Sequence, residues 1–171
     1  MQQILELERF FPSIPLPLIP YLPGRNLKEA WEIFFKENLQ SQSATIFFHY
    51  GIDLYHARFF YEAHEVWEYL WMRVGKKSRE GLLLKGLIQH SAASLKLILQ
   101  QFDPALRLSR RAVQLFEEGM VQRPLIDIQI EGVVWPFLAV KKFYLQMQRF
   151  YLPFWQQKTI AWNRFPLLRL A

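Results

Sequence analysis

The sequence contains no cysteine, which excludes disulfide bonds, thiol nucleophiles and zinc sites built on thiolates. Its seven glycines never cluster, so it has no glycine-rich loop of the kind that binds phosphate groups. No apolar run approaches the roughly 20 residues that a membrane-spanning helix needs. A secretory signal has a basic stretch followed by an apolar core, whereas the first residues here contain early acids and lack that pattern. We therefore expect a cytoplasmic location.

The composition is that of a globular domain, with 171 residues, of which 51% are hydrophobic and 21% charged. The net charge of +6 is unevenly distributed. Residues 1–75 contain 6 Lys and Arg against 9 Asp and Glu, whereas residues 76–171 contain 15 against 6. Such an asymmetry suits a surface for nucleic acid or acidic lipid, but no nucleic-acid-binding motif accompanies it, which favours a solvated basic surface.

Residues 1–26 form an apolar, proline-rich segment, with five prolines between positions 12 and 23. Proline removes amide donors and disfavours helix at the preceding residue, so this segment is expected to be extended. A free linker would be more polar, and we expect a strap that lies along the helical body. The alternative is a ligand for the aromatic groove of a partner protein.

Apolar residues at helical spacing predict an all-α protein in which a helical bundle occupies residues 27–151. Short connections imply that sequential helices are antiparallel neighbours. The segment 122–132 is expected to be irregular or briefly extended. The predicted helices cover residues 27–38, 44–56, 58–74, 79–100, 103–119 and 133–151.

Residues 152–171 form a C-terminal extension that is rich in aromatic and basic residues. From Arg149 onward the chain has four basic residues, six aromatics and no acid. We expect this extension to pack on its own bundle, on a second copy in a homodimer or on another protein partner. Contact with a membrane surface is less favoured, because Pro153 and Pro166 interrupt an amphipathic helix.

The segment FYEAHEVWEYLW, residues 60–71, contains a His-Glu-x-x-Glu motif among large aromatics. On a helix, His64 and Glu68 lie one turn apart on the aromatic face, and Glu65 flanks them, whereas Glu62 is expected to face solvent. A zinc peptidase of the His-Glu-x-x-His type needs a second histidine where Glu68 stands, which argues against that activity.

The helix that contains KGLIQHSAA is expected to pack against the aromatic face of residues 60–71 and to contribute a further polar residue. Gly86 and Ala93 are small enough to let another helix approach, and Gln89 lies on the same face with two donors and an acceptor. We therefore expect His64 and Glu68 to be largely buried, with Gln89 within hydrogen-bonding reach of one of them.

These two segments resemble the domain-of-unknown-function family numbered 309. The resemblance covers about residues 45–118, including PALRLSRRAVQLF, and implies a compact helical bundle with a polar cluster. The residues that carry it are Phe60, Glu62, Ala63, His64, Glu65, Glu68 and Trp71, followed by Gly86, Leu87, Ile88 and Gln89.

Three interpretations of the cluster remain open, and the first of them is favoured because only two or three good metal ligands converge. The first is a buried hydrogen-bond network that sets helix register. The second is a divalent metal site for zinc, manganese or iron, and the third is a pocket for a small planar or cationic molecule. The metal ligands would be His64, Glu65 and Glu68, completed by His90 or Glu62. The wall of the pocket would be Tyr61, Trp67 and Trp71.

The sequence favours a binding or interaction module with a buried polar cluster of His64, Glu68 and Gln89. The alternative is a metal-dependent enzyme, most plausibly a hydrolase. His49 and His56 are expected to have packing roles.

Overall fold

The computed structural model describes residues 8–170, in which the regular elements are six α-helices, a short β-hairpin and a single 3₁₀ turn. The prediction of an all-α bundle is confirmed. The hairpin joins β1, Ile128–Ile130, to β2, Val133–Trp135. The helices are α1 (Glu29–Asn38), α2 (Ala44–His56), α3 (Phe60–Trp71), α4 (Arg79–Ile98), α5 (Phe102–Gln122) and α6 (Phe137–Gln157).

Consecutive helices from α2 to α6 pack against one another, and glycines allow two of the closest approaches. At Gly86, on α4, a Cβ atom would lie 2.5 Å from the Phe116 ring of α5. At Gly51, on α2, it would lie 2.2 Å from the Trp67 indole of α3. Because real Cβ contacts are never so short, glycine is the residue that fits both positions.

Residues 8–26 of the proline-rich strap lie along the helical body, whereas residues 1–7 are outside the described part of the chain. The buried Asp53 carboxylate of α2 accepts the backbone N–H groups of Phe10 and Phe11 at 2.9 and 3.0 Å. Further along the strap, the Tyr50 hydroxyl donates to the carbonyl of Pro15 at 2.5 Å. Backbone groups that the prolines leave without sheet or helix partners are thus bonded by side chains of the bundle.

The segment 122–132, expected to be irregular or briefly extended, contains the short strand β1, and only its pairing with β2 in a hairpin was not predicted. Glu131 and Gly132 both have positive φ, 46° and 85°, the conformation of a two-residue turn between antiparallel strands. Ile128, Ile130 and Trp135 point into the core. The alternation of apolar residues on either side of Glu131–Gly132 was the signal in the sequence.

The bundle does not end near residue 151, because α6 continues through Pro153 to Gln157. Proline interrupts helices through its missing N–H, but here one lost hydrogen bond is offset by burial of Phe150, Tyr151 and Phe154. After α6 the chain turns back along its own bundle, and Leu168 is fully buried.

A chain of buried hydrogen bonds joins this extension to three helices. Tyr55 of α2 donates to the Pro166 carbonyl at 2.8 Å, so its oxygen is free to accept the His90 Nε2–H at 2.7 Å. His90 Nδ1 then accepts the Tyr151 hydroxyl proton at 2.5 Å. This order requires a neutral imidazole, and burial lowers the pKa of His90 to about 3.

Tyr55→Phe is expected to destabilise the protein by about 1–3 kcal/mol, because it leaves the buried His90 N–H and the Pro166 carbonyl without partners. Urea denaturation followed by circular dichroism measures the loss. Tyr69→Phe is the matched control, since the Tyr69 ring is partly exposed and its hydroxyl bonds to no other described residue. Equal stability of the two variants contradicts the proposed hydrogen-bond order.

Candidate functional site

A groove of about 320 Å³ opens between α1 and α3. Trp31 and Phe35 of α1 form one wall, and Tyr69 of α3 stands opposite. The carboxylates of Glu65 and Glu68 line the same groove. Helical spacing explains this arrangement, because positions 65, 68 and 69 lie on adjoining parts of one face of α3.

Five charged or titratable side chains form a continuous row beside the groove, here called the charged cluster. His64 stands at its centre, with Nδ1 3.4 Å from Glu65 Oε1 and Nε2 3.9 Å from Glu68 Oε2. Lys28 lies 3.8 Å from the other oxygen of Glu65, and Lys85 lies 3.5 Å from the other oxygen of Glu68. Each of the two carboxylates therefore has a lysine ammonium group on the side away from His64.

The charged cluster is more open than the sequence predicted. The side chains of His64, Glu65 and Glu68 are 24%, 29% and 30% exposed, so the pair is partly buried and does not point into bulk solvent. Among the residues that the structure describes, Gln89 forms no hydrogen bond with His64 or Glu68. Lys85, one turn earlier on the same face of α4, contacts Glu68 instead.

The predicted aromatic wall is also distributed differently. Trp67 is fully buried and donates its indole N–H to the Phe48 carbonyl at 3.3 Å, so it belongs to the core. Trp71 is covered by the Lys85 ammonium, 4.2 Å from the ring centroid. Tyr61 packs edge-on against Tyr21 of the strap, with ring centroids 4.5 Å apart. None of the three is among the residues that line the groove.

Two residues considered as additional metal ligands have other partners. Glu62 was expected to face solvent, but it is fully buried and accepts the Tyr21 N–H at 2.6 Å. Glu62 does lie on the side of α3 away from His64, as helical spacing predicts, but the strap covers that side. His90 uses both ring nitrogens in the hydrogen bonds to Tyr55 and Tyr151. Neither belongs to the set of ligand atoms around His64.

The electrostatics of the cluster favour the ionised form of Glu65. The interaction with His64 lowers the pKa of Glu65, and the nearby Lys28 ammonium lowers it further, against the opposing effect of partial burial. Partly exposed ion pairs at such distances contribute only about 0–1 kcal/mol to stability. The cluster is therefore a weak structural element, although it gathers charge beside a groove.

The geometry permits coordination of a cation. Ligand atoms from His64, Glu65 and Glu68 all lie within 4.8 Å of one another. Two ligands of a tetrahedral ion lie about 3.4 Å apart, so these atoms would have to move closer together to coordinate one. Three protein ligands leave further positions open towards the groove.

Sequence reasoning missed both lysines of the charged cluster. Lys85 was recognisable, since it precedes Gln89 by four residues and shares its helix face. Lys28 reaches Glu65 across a long-range contact between the start of α1 and α3, and no local pattern indicates it. The groove walls Trp31 and Phe35 depend on the same contact.

No helix among residues 8–170 is long and apolar enough to cross a bilayer. No curated protein matches the chain, and no solved structure matches it. A family model does match residues 48–108, from α2 into α5, and this range includes His64, Glu65, Glu68 and Gln89. The resemblance seen in the sequence is thereby supported: residues 48–108 of this chain match the model of the domain-of-unknown-function family DUF309.

Proposed function

We propose that this protein is a binding module that holds one divalent metal ion through His64, Glu65 and Glu68. The observation that carries the proposal is the convergence of one imidazole and two carboxylates within 4.8 Å at an open groove. Imidazole and carboxylate together suit zinc, manganese or iron. The weak stabilisation expected from partly exposed ion pairs supports a role in binding rather than in setting helix register.

Lys28 and Lys85 would lower the affinity of such a site for a metal ion. Each lies within 3.8 Å of one of the carboxylates and competes with a metal ion for it. A metal would displace these ammonium groups from the carboxylate oxygens, and the released lysines would remain at the margin of the groove. This competition predicts opposite effects for substitutions of the ligands and of the lysines.

Glu68→Gln is expected to weaken binding of Zn²⁺ or Mn²⁺ at least about tenfold, since even the hydrogen-bonding partners of metal ligands change affinity by that much. Lys85→Met keeps the packing of the side-chain stem on Trp71 but removes the competing charge, so it should tighten binding. Isothermal titration calorimetry on protein without a histidine tag measures both effects. Glu118→Gln, on α5, is the control and should leave affinity unchanged.

The opposite response of the two variants distinguishes a metal site from a structural ion-pair cluster. In a structural cluster neither variant alters metal affinity, and both lower the unfolding free energy slightly. A wild-type protein that binds none of the metals at millimolar concentration, or a Lys85→Met variant that binds more weakly, contradicts the proposal. Elemental analysis of the purified protein gives an independent measure of bound metal.

The alternative function is that of a metal-dependent hydrolase. The observation that favours it is Glu32, a carboxylate that lines the groove without belonging to the ligand set. In this alternative Glu32 would act as the general base for a water molecule that the metal would hold. Hydrolysis of p-nitrophenyl esters by metal-loaded protein tests this alternative. Glu32→Gln should then abolish turnover while metal binding is retained, and absence of turnover in the wild type removes the support.

A further inference from the structure

The outer face of α6 carries a line of exposed leucines. Leu138, Leu145 and Leu152 are seven residues apart and 74%, 41% and 49% exposed. Seven residues are almost two helical turns, so the three side chains lie along one side of the helix. The opposite side of α6 supplies the core with Phe143, Met147, Phe150 and Phe154.

Cations flank this line, and no acid balances them. Lys141, Lys142 and Arg149 project from the same face of α6, and Arg164 follows on the extension. Residues 132–171 contain six Lys and Arg and no Asp or Glu. No carboxylate is among the described residues that line the two cavities on this face.

Two open depressions lie along this face. One cavity of about 280 Å³ and another of about 550 Å³ adjoin along α6 and share Gln146 and Arg149. We call the combined surface the basic groove. It is lined by Leu138, Lys141, Lys142, Leu145, Gln146, Arg149, Leu152, Pro153, Arg164, Phe165 and Leu167.

We propose that the basic groove binds an acidic amphipathic helix of a partner protein. The positive charge selects an acidic segment by complementarity. The leucine line matches the apolar stripe of a helix laid along the groove, because such a stripe also repeats over about seven residues. Leu138 and Leu152 are 14 positions apart, about 21 Å along α6, which a partner helix of about four turns covers.

A bilayer and a nucleic acid fit this surface less well. A helix that lies on a membrane presents a broad apolar face with large aromatics, whereas the aromatics Phe143, Phe150 and Phe154 of α6 point into the core. Single-stranded nucleic acid stacks its bases on exposed aromatics, whereas the exposed apolar residues here are leucines and the lining residue Phe165 is partly buried. The charged cluster belongs to other helices, so this inference does not depend on the proposed metal site.

The proposal is tested with a fluorescent peptide of about 18 residues that has leucines along one helical face and glutamates on the others. A scrambled peptide of the same composition, with its leucines spread around the helix, is the matched probe. Fluorescence anisotropy on the full-length protein should show the amphipathic peptide binding about tenfold more tightly than the scrambled one.

Substitutions in the protein locate the binding surface. Arg149→Glu and Leu145→Ser, both at exposed positions, should each weaken binding of the amphipathic peptide about tenfold. Arg110→Glu and Val121→Ser change an exposed cation and an exposed apolar residue of α5, and should leave binding within about twofold. Circular dichroism spectra check that all four variants remain folded.

Equal affinity for the amphipathic and scrambled peptides overturns the proposal, because it reduces the interaction to unspecific charge attraction. Insensitivity of peptide binding to Leu145→Ser also overturns it. Vesicles of phosphatidylcholine and phosphatidylserine at roughly two to one, and a single-stranded RNA, are tested in parallel. Binding of either that exceeds peptide binding and is lost in Arg149→Glu assigns the groove to that partner instead.

Discussion

Glu62→Gln is expected to abolish the contribution of Glu62 to the pH dependence of stability, which is a loss of about 3 kcal/mol as the pH rises from 4.5 to 7. Glu62 is fully buried beneath the strap, and burial raises the pKa of its carboxyl group from 4.5 to about 7. One oxygen accepts the Tyr21 N–H, and the other has no hydrogen-bond partner among the described residues. The charged form is therefore poorly compensated.

The sign of the effect follows from proton binding. Between pH 4.5 and pH 7 the unfolded chain releases the proton of Glu62, whereas the folded protein retains it. Raising the pH through this window therefore favours unfolding, and the contribution of the protonated carboxyl is complete below pH 4.5. Glutamine has no such proton, and its side-chain oxygen still accepts the Tyr21 N–H.

Urea denaturation of the wild type and of Glu62→Gln at several values between pH 4.5 and pH 8 measures this effect. The difference between the two unfolding free energies should shift by about 3 kcal/mol in favour of the variant at high pH. His56 and His90 titrate in both proteins and cancel in the difference. Glu37→Gln, at an exposed position of α1, is the control. A constant difference across this range would show that Glu62 is not buried in solution.

Gly51→Ala is expected to destabilise the protein by about 3 kcal/mol, near the upper end for an overpacked core. The added Cβ would lie 2.2 Å from the indole nitrogen of Trp67 and 2.7 Å from two of its carbons. Trp67 has no room to withdraw, because it is fully buried and bonded to the Phe48 carbonyl. Relief of the clash requires α2 and α3 to move apart, which opens gaps in the packed interior.

Gly75→Ala is the matched control for this substitution. Its Cβ would meet Ser78 at 3.5 Å, an ordinary contact, and its φ is not positive. Thermal unfolding should therefore show a large loss for Gly51→Ala and a small change for Gly75→Ala. Similar midpoints for the two variants would mean that α2 and α3 are less closely packed than described. A shift confined to Gly51→Ala confirms the contact that positions the motif-bearing helix.

The uneven charge of the chain becomes two separate surfaces in the folded protein. The N-terminal half contributes Glu32, Glu65 and Glu68 to the groove between α1 and α3. The C-terminal half contributes Arg149 and its neighbours to the groove on α6. The first suits a cation, and the second suits an acidic partner. The solvated surface that the sequence favours for the basic half stays a prediction, and the proposed binding of an acidic helix is the alternative that the peptide experiment tests.

The helices themselves could be predicted from the sequence because their signals are local. Apolar periodicity placed α2 at residues 44–56, and Ser78 accepts the Gly81 N–H at the start of α4, as a helix cap does. The i, i+4 spacing placed His64 beside Glu68, and the two side chains do meet. Clustered prolines and apolar residues determined that the first segment is an extended strap rather than a helix.

Only the tertiary structure decided which of these polar residues are buried and which partners they have. Glu62 points away from the helical core, and a segment 41 positions earlier covers it. His64 lies on the aromatic face, but the space beside it is a groove bounded by α1. Burial of a side chain depends on which distant element packs over it, and helical periodicity reports only the direction in which that side chain points. The same reason explains why Lys28 and the hydrogen bonds of His90 could not be read from local patterns.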